Sequence, residues 1–421
     1  MFLHQLFFYL TIVLLPTQLG LHVWPDWALI LGRRIDYLSP TLFLTDITIF
    51  ITLLLWICFP HKTTKKIPHV ISWKTIALLL GILVYVVSNI YFSASAPVVL
   101  FRWIKVIEFG LFGYYIIQTR PSLQTTSMSI TISMMYSSVI AITQFIFQHS
   151  IGGIFWYLGE RSFDISTPGI ARVNWCWFTT TNCVELLRPY GTFPHPNVFA
   201  GFLTVTMGLT IWQILSHPLQ NKKMRMWYWI TMIVSGIALM LTFSRGVWLI
   251  GIIGILTIVG VLQKRTIIQI VTWITISCLA CVVVAFPYFL SLIKQSESVI
   301  IRDELSRVAI AMWKTYPLLG VGFNAFLVQL PTVLPARYLF FLQPPHNIYL
   351  LLLSELGIIG VGSIGWCLYK LITKLFHLPS KLPLIIILLY GLLGAFDHYP
   401  MTLQQGQLLT TIVITLGFLS K

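Results

Sequence analysis

Four short segments of the chain hold side chains suited to gripping an anion or moving a proton. The first is Arg188-Pro-Tyr-Gly191-Thr192-Phe-Pro-His195-Pro196-Asn197, and the second is Thr242-Phe-Ser244-Arg245-Gly246. The third is Arg307 followed by Trp313 and Pro317-Leu-Leu-Gly320-Val-Gly322-Phe-Asn324-Ala-Phe326, with Arg302 shortly before it. The fourth is Pro345-His346-Asn347-Ile-Tyr349, continuing to Ser354-Glu355-Leu356-Gly357, with Asp397 and His398 further on. An arginine presents a planar fork that holds phosphate oxygens two at a time, whereas a lysine acts as a point charge. Histidine is the side chain whose ordinary pKa suits proton transfer near neutrality. Arginines beside a histidine therefore point to an anionic, phosphate-bearing ligand.

These residues need a scaffold, and composition says which kind. The 421 residues are 57% hydrophobic and only 9% charged, with mean hydropathy +0.86. A soluble domain carries about a quarter charged residues, so an ordinary cytosolic enzyme is excluded. The aliphatic and aromatic content is too high for a disordered chain, and no period marks a solenoid. What remains is an all-α, polytopic helical membrane protein. A helix needs about 20 largely apolar residues to cross the bilayer. Twelve such segments are expected, at roughly 5–24, 40–59, 75–92, 98–117, 128–148, 193–215, 227–243, 246–262, 267–290, 347–369, 382–398 and 407–420.

Charge orients them. With the N-terminus inside, the cytoplasmic segments hold fourteen Lys and Arg and no acid, which follows the positive-inside rule. The formal charge of +15 is thereby mostly topology, and no nucleic-acid partner is called for. Nine of the eleven outer basic residues are Arg (33, 34, 161, 172, 188, 245, 302, 307 and 337), a split that the rule does not predict. Ion pairs with outer acids would account for about half of them. The first apolar run is too long, and too poor in basic and small flanking residues, for a signal peptide, so a retained helix is expected. The chain reads as one integral membrane domain, 1–421, with a first outer loop at 149–192 and a long extracytoplasmic loop at 291–346 carrying part of the active site. The long loop contains the stripe Ile301, Leu305, Val308 and Met312, spaced as one face of a helix and suited to lie on the membrane surface. Cys176 and Cys183 share the first outer loop, where an oxidising compartment permits a disulfide. The other cysteines fall in spans and form no metal pattern.

Taken together and in order, the four motifs resemble the O-antigen ligase/polymerase superfamily of bacterial envelope glycosyltransferases. The ordered set covers residues 188–357, and the twelve-span layout extends the similarity along the chain. Phe323-Asn324-Ala325 departs from the Pro-Gly-Asn often found there. The resemblance implies a GT-C-like membrane enzyme with the long loop between helices 9 and 10. Such an enzyme transfers a glycan from an undecaprenyl-diphosphate carrier, on the outer face of the cytoplasmic (inner) membrane. Its acceptor is lipid A-core of lipopolysaccharide, a growing polysaccharide or a protein hydroxyl. Ligase and polymerase both fit. The leaving lipid diphosphate develops charge that positioned Arg side chains can stabilise without a metal, and no cofactor is expected. No Asp-x-Asp marks a divalent-metal site.

On this reading His346 is catalytic, either as general base towards the acceptor or as hydrogen-bond donor to the diphosphate. Arg245 and Arg307 join it, with Arg188, Arg302, His195, Asn197, Asn347 and Asp397 binding the lipid diphosphate. His195, between two prolines, would otherwise fix a turn, and Asp397 would orient a catalytic group or cap an interface. Glu355 is read as one half of a buried structural pair. Arg102, Lys105 and Glu108 wind partly around the fourth span and are read as lining a lipid-headgroup groove, the alternative being a simple i, i+3 pair of Lys105 with Glu108. Trp156, Tyr157, Trp175 and Trp177 are candidates for sugar stacking. Twelve spans and buried charges also suit a secondary anion transporter. The informative residues cluster outside, not at the midplane, and this favours the transferase. Turnover of a lipid-diphosphate glycan separates the two.

Overall fold

The computed structural model describes residues 2–59, 72–176, 183–216, 221–262, 297–334, 342–378 and 381–419. Eleven of the expected apolar segments are helices: α1 (Leu3–Val13), α2 (Leu44–Cys58), α3 (Trp73–Tyr91), α4 (Ala96–Thr119), α5 (Leu123–Phe147), α6 (Pro196–Ser216), α7 (Lys222–Leu241), α8 (Arg245–Leu262), α11 (Ile348–Phe376), α12 (Leu382–Phe396) and α14 (Gln404–Leu419). Between them lie α9 (Glu297–Thr315), α10 (Phe326–Val333) and the short α13 (Tyr399–Thr402). The expected ninth span, with Cys278 and Cys281, lies outside the described residues, as do Trp177 and Arg337. Among the described residues, five helices (α3, α5, α6, α7 and α11) are long and apolar enough to cross a membrane, and four shorter helices are apolar. Along α3, Leu78, Leu79 and Leu80 are all more than half exposed, as suits a helix surrounded by hydrocarbon.

The first expected span needs correcting. Its helix stops at Val13, because Pro16 supplies no backbone donor and the chain then turns extended. Gly20–His22 (β1) pairs antiparallel with Thr41–Phe43 (β4). Two further antiparallel pairs, Leu29–Ile30 (β2) with Arg33–Arg34 (β3) and Arg172–Cys176 (β5) with Cys183–Leu187 (β6), also depart from an all-α reading. The β5–β6 register sets Cys176 opposite Cys183. These elements gather at one end of the bundle. Thr192 Oγ1 donates to the Pro16 carbonyl (2.9 Å), Gln18 Nε2 to the Gly159 carbonyl (3.0 Å), and Asn324 Nδ2 to the Tyr37 carbonyl (2.9 Å).

The expected stripe on α9 is real but faces protein. Ile301, Leu305, Val308 and Met312 are all buried and share one apolar cluster with α10 and the first half of α11. That cluster is locked by a plug. Gly357 interrupts α11 with φ 62° and ψ −171°. The loop after α9 enters the break: Val321 N donates to the Ser354 carbonyl (2.9 Å), Gly322 N to the Glu355 carbonyl (3.0 Å), and Ile358 N to the Pro317 carbonyl (2.9 Å). A Cβ on Gly320 would stand 2.4 Å from the Glu355 carbonyl carbon, and one on Gly357 2.3 Å from the Leu318 oxygen. Only glycines permit this approach. Buried Asn89 on α3 completes the joint, donating to the carbonyls of Leu319 (2.9 Å) and Glu355 (3.3 Å) while its oxygen accepts from Phe323 N and Trp103 Nε1 (both 3.1 Å). The Pro-Leu-Leu-Gly-Val-Gly and Glu-Leu-Gly motifs are thus two halves of one contact.

Candidate active site

Arg188 is held by the segment in which it lies and by the turn before α8. Gln144 on α5 accepts from the backbone N–H groups of Tyr190 (3.0 Å) and Gly191 (2.8 Å) and donates to the Gly191 carbonyl (2.9 Å). Gly191 adopts φ 59°, and a Cβ there would press to 3.1 Å on the Ser137 carbonyl. So anchored, Arg188 donates through Nε to the Thr242 carbonyl (2.6 Å) and through Nη2 to Asn197 Oδ1 (2.7 Å), which also accepts from Ser244 Oγ (3.0 Å). The first two motifs therefore form one network, in which Asn197 positions Arg188. Burial, with Arg302 and Arg245 nearby, lowers the Arg188 guanidinium to about 10, Tyr190 opposing the shift. It stays charged at neutral pH.

His195 takes one defined form. Its Nδ1 accepts from Asn197 N (3.1 Å), so the ring proton sits on Nε2. Burial first, then the positive Arg188, lowers its pKa to about 3. His195 is a neutral donor at physiological pH and is unsuited to act as a general acid.

His346 stands one residue ahead of the α11 cap. Asn347 Oδ1 accepts from Tyr349 N (2.9 Å) and Leu350 N (3.1 Å), while its Nδ2 donates to the Ala395 carbonyl (3.3 Å). Asn347 is therefore occupied in tying the start of α11 to the end of α12, which brings His346 Nδ1 to 3.6 Å from Asp397 Oδ1. Asp397 accepts a hydrogen bond from His398 N (2.8 Å). Burial would raise the Asp397 carboxyl, but the His346 side chain and the charges of His398 and His346 together hold it below the usual carboxylate range. His398 donates or accepts at Nδ1 with Thr402 Oγ1 (2.7 Å), and burial lowers its pKa to about 4 against the pull of Asp397. The rings of His346 and His398 lie 5.2 Å apart.

Electrostatics joins these groups into one site. Arg188 feels Arg245 and Arg302, and His195 feels Arg188, Asp397, His346 and Arg302. Arg302, not Arg307, is the residue of α9 turned to the cluster. Arg307 is 72% exposed and donates to Asp303 at 2.9 Å, one turn earlier on the helix. The structure does not bring it to the other site residues. Glu355 accepts from Phe326 N (3.3 Å), with Arg102 as its nearby charge, and so props the loop it plugs against. Lys105 pairs with Asp46 (2.6 Å) and Glu108 (2.8 Å), whereas Arg102 faces cavities. Trp156, Tyr157 and Trp175 are exposed. His346, Asp397 and His398 offer ligand atoms within 4.8 Å of one another, a spacing a metal ion would also accept. Three guanidinium groups against one carboxylate leave the cluster net positive, which favours an anion.

A multi-pass helical membrane protein with a basic cluster gathered at one bundle end is the class this architecture defines. Residues 230–365 match the family model described as O-antigen ligase, which bears out the resemblance to the O-antigen ligase superfamily and supports a membrane enzyme of ligase or polymerase type. No curated protein and no solved structure matches. The match begins within α7, covers α8, α9 and α10 and reaches into α11, and thus includes Arg245, Arg302 and His346. Arg188 and Asp397 lie outside it and join the site through the contacts above.

Proposed function

We propose that this protein transfers a glycan from an undecaprenyl-diphosphate carrier to an acceptor hydroxyl at the outer face of the cytoplasmic membrane, without a metal. The observation that carries the reading is the gathering of Arg188, Arg245 and Arg302 around a His346–Asp397 pair. An acceptor oxygen attacks the anomeric carbon, and its proton passes to His346, which Asp397 orients and stabilises once charged. The bond from that carbon to the diphosphate oxygen breaks, and the electron pair leaves with the lipid diphosphate. Arg245 and Arg302, with the remaining N–H donors of Arg188, neutralise the charge that develops there. Neutral His195 adds its Nε2–H as a further donor. Arg245 is exposed and, among the described residues, its side chain has no ion-pair partner, so it is available to the substrate.

The test is transfer from a purified lipid-diphosphate glycan by the full chain in proteoliposomes. His346→Ala and Arg245→Ala are each expected to slow turnover by about 10²–10³-fold while leaving the fold intact. Normal turnover in both would overturn the site assignment. Uptake into sealed vesicles without release of lipid diphosphate would replace transfer by transport.

A further inference from the structure

Two cavities meet at Arg102 on α4. The first, of about 310 Å³, lies among the loop-end elements and is lined by Gln18, Asp36, Tyr37, Asn324, Gln404 and Gln405, with Arg102 and Gln407 at its floor. The second, of about 440 Å³, is an apolar groove between α4 and α14, lined by Val106, Phe109, Gly110, Gly113 and Ile414, and again by Arg102 and Gln407. Val106 and Tyr114 on its rim are 38% and 43% exposed on the flank of the bundle, so the groove opens towards the membrane.

Arg102 is placed unlike a structural arginine. It is 6% exposed, its Nη2 donates to the Met401 carbonyl, and its guanidinium lies 4.9 Å from the centre of the Phe323 ring. Its Nε is buried without a partner, and among the described residues no carboxylate forms an ion pair with it. Glu355 is the nearby acid, but that carboxylate is spent on the Phe326 N–H. A buried cation with an orphaned donor, facing two cavities, calls for an anion.

The polar cavity is furnished for hydroxyl groups. Gln18, Gln405 and Asn324 commit their amide N–H groups to backbone carbonyls, and Gln404 commits its own to Thr45 and Asp46. No donor among the described residues reaches their four amide oxygens, which remain acceptors. Tyr37 and Thr402 form the wall towards the site: the Tyr37 ring meets His398 edge-on at 5.5 Å, and Thr402 bonds His398.

We infer that the groove and cavity form a second lipid site, which takes a phosphate-bearing glycolipid with its chain between α4 and α14, its phosphate on Arg102 and its saccharide in the cavity, and presents it as the acceptor. This rests on the transferase reading above and narrows it: the acceptor is membrane-anchored, not a protein or a soluble polysaccharide. The acceptor then reaches the His346–Asp397 pair past Tyr37, Thr402 and His398.

Photo-crosslinking of the full chain in nanodiscs tests the site apart from activity, with phosphatidic acid carrying a diazirine in its acyl chain as probe and a diacylglycerol of the same chain as neutral control. Labelling of α4 and α14 is expected to be at least fivefold stronger for the phosphate probe. Arg102→Gln should reduce it about tenfold, and Gly110→Trp, whose side chain enters open groove space, should abolish it. His346→Ala should leave it unchanged, and millimolar inorganic phosphate should not compete. Equal labelling by both probes, indifference to Gly110→Trp, or displacement by inorganic phosphate overturns the proposal. In the transfer assay, Gly110→Trp should raise the KM for a lipid-linked acceptor severalfold and leave the donor KM unchanged. A shift in the donor KM instead would overturn the acceptor assignment. Labelling with no transfer by the wild type would leave the lipid site standing and sink the transferase reading, whereas transfer without labelling would do the reverse.

Discussion

His346 and Asp397 come from different helices, and Asn347 decides that they meet. Its oxygen caps α11 while its nitrogen holds the end of α12, so His346 cannot drift from the carboxylate. Asn347→Ala is therefore expected to lower kcat about tenfold or more with little change in substrate KM, the signature of a positioning residue. Asp397→Asn keeps the shape but removes the charge that supports protonated His346, and should lower kcat further. The buried histidines also set a pH dependence for stability. His195 and His398 have folded pKa values of about 3 and about 4, below the unfolded value of about 6.5. Between those limits the unfolded chain binds more protons, so stability rises with pH across that window. Asp397, also depressed, extends the same slope to lower pH. Thermal melts in detergent should show Tm falling as pH drops from 7 towards 4, with a flatter profile for His195→Asn. An unchanged slope in that variant would contradict the origin assigned here.

At the scale of elements, the break in α11 and the loop that enters it act as one part. Gly320→Ala and Gly357→Ala both force a Cβ onto backbone atoms and strain a positive φ, each costing about 2–4 kcal/mol or more. Gly362→Ala, on the same helix with nothing near its Cβ, should leave the melting temperature within a degree or two. Asn89→Leu removes both ends of the joint, leaving the Phe323 N–H, the Trp103 Nε1–H and the Leu319 carbonyl without Asn89 as partner, and should cost about 3 kcal/mol or more. Since α9 carries Arg302 and packs on α11, loosening the plug should also lower transfer in membranes that still contain folded protein. Comparing transfer per folded molecule among the three glycine variants separates that effect from lost protein.

At the scale of the molecule, the sided distribution of Lys and Arg predicts orientation. With the native cysteines replaced, a cysteine at Ser166 should react with a membrane-impermeant maleimide in intact spheroplasts, while one at Lys223 should react only after lysis. The reverse pattern would put the arginine cluster on the cytoplasmic side and remove the outer-face reaction. Several loops converge on one bundle end, through contacts such as Thr192 to Pro16 and Asn324 to Tyr37. Residues far apart in the chain thus meet at one end.

Much of this was legible in the chain itself. Apolar runs of membrane-crossing length marked eleven described helices, because a bilayer imposes length and hydropathy locally. The same reading carried the first helix past Val13, since hydropathy does not register that Pro16 and a distant strand partner at 41–43 end it. Arginine type and motif order named His346, Arg188, Arg245 and Arg302, but could not separate Arg302 from Arg307, five residues apart on one helix. Which one turned inward depended on the face that α9 buries against α11. Asn347 and Asn197 looked like ligand groups and are spent holding other residues, and no spacing rule reveals where a side-chain amide finds its partner. Arg102 and its two cavities were visible only as charges in a span. The sequence alone determined the solvent each segment must face and the kinds of side chain on hand for a site. The tertiary structure decided which of those groups come together, because that depends on packing between helices hundreds of residues apart.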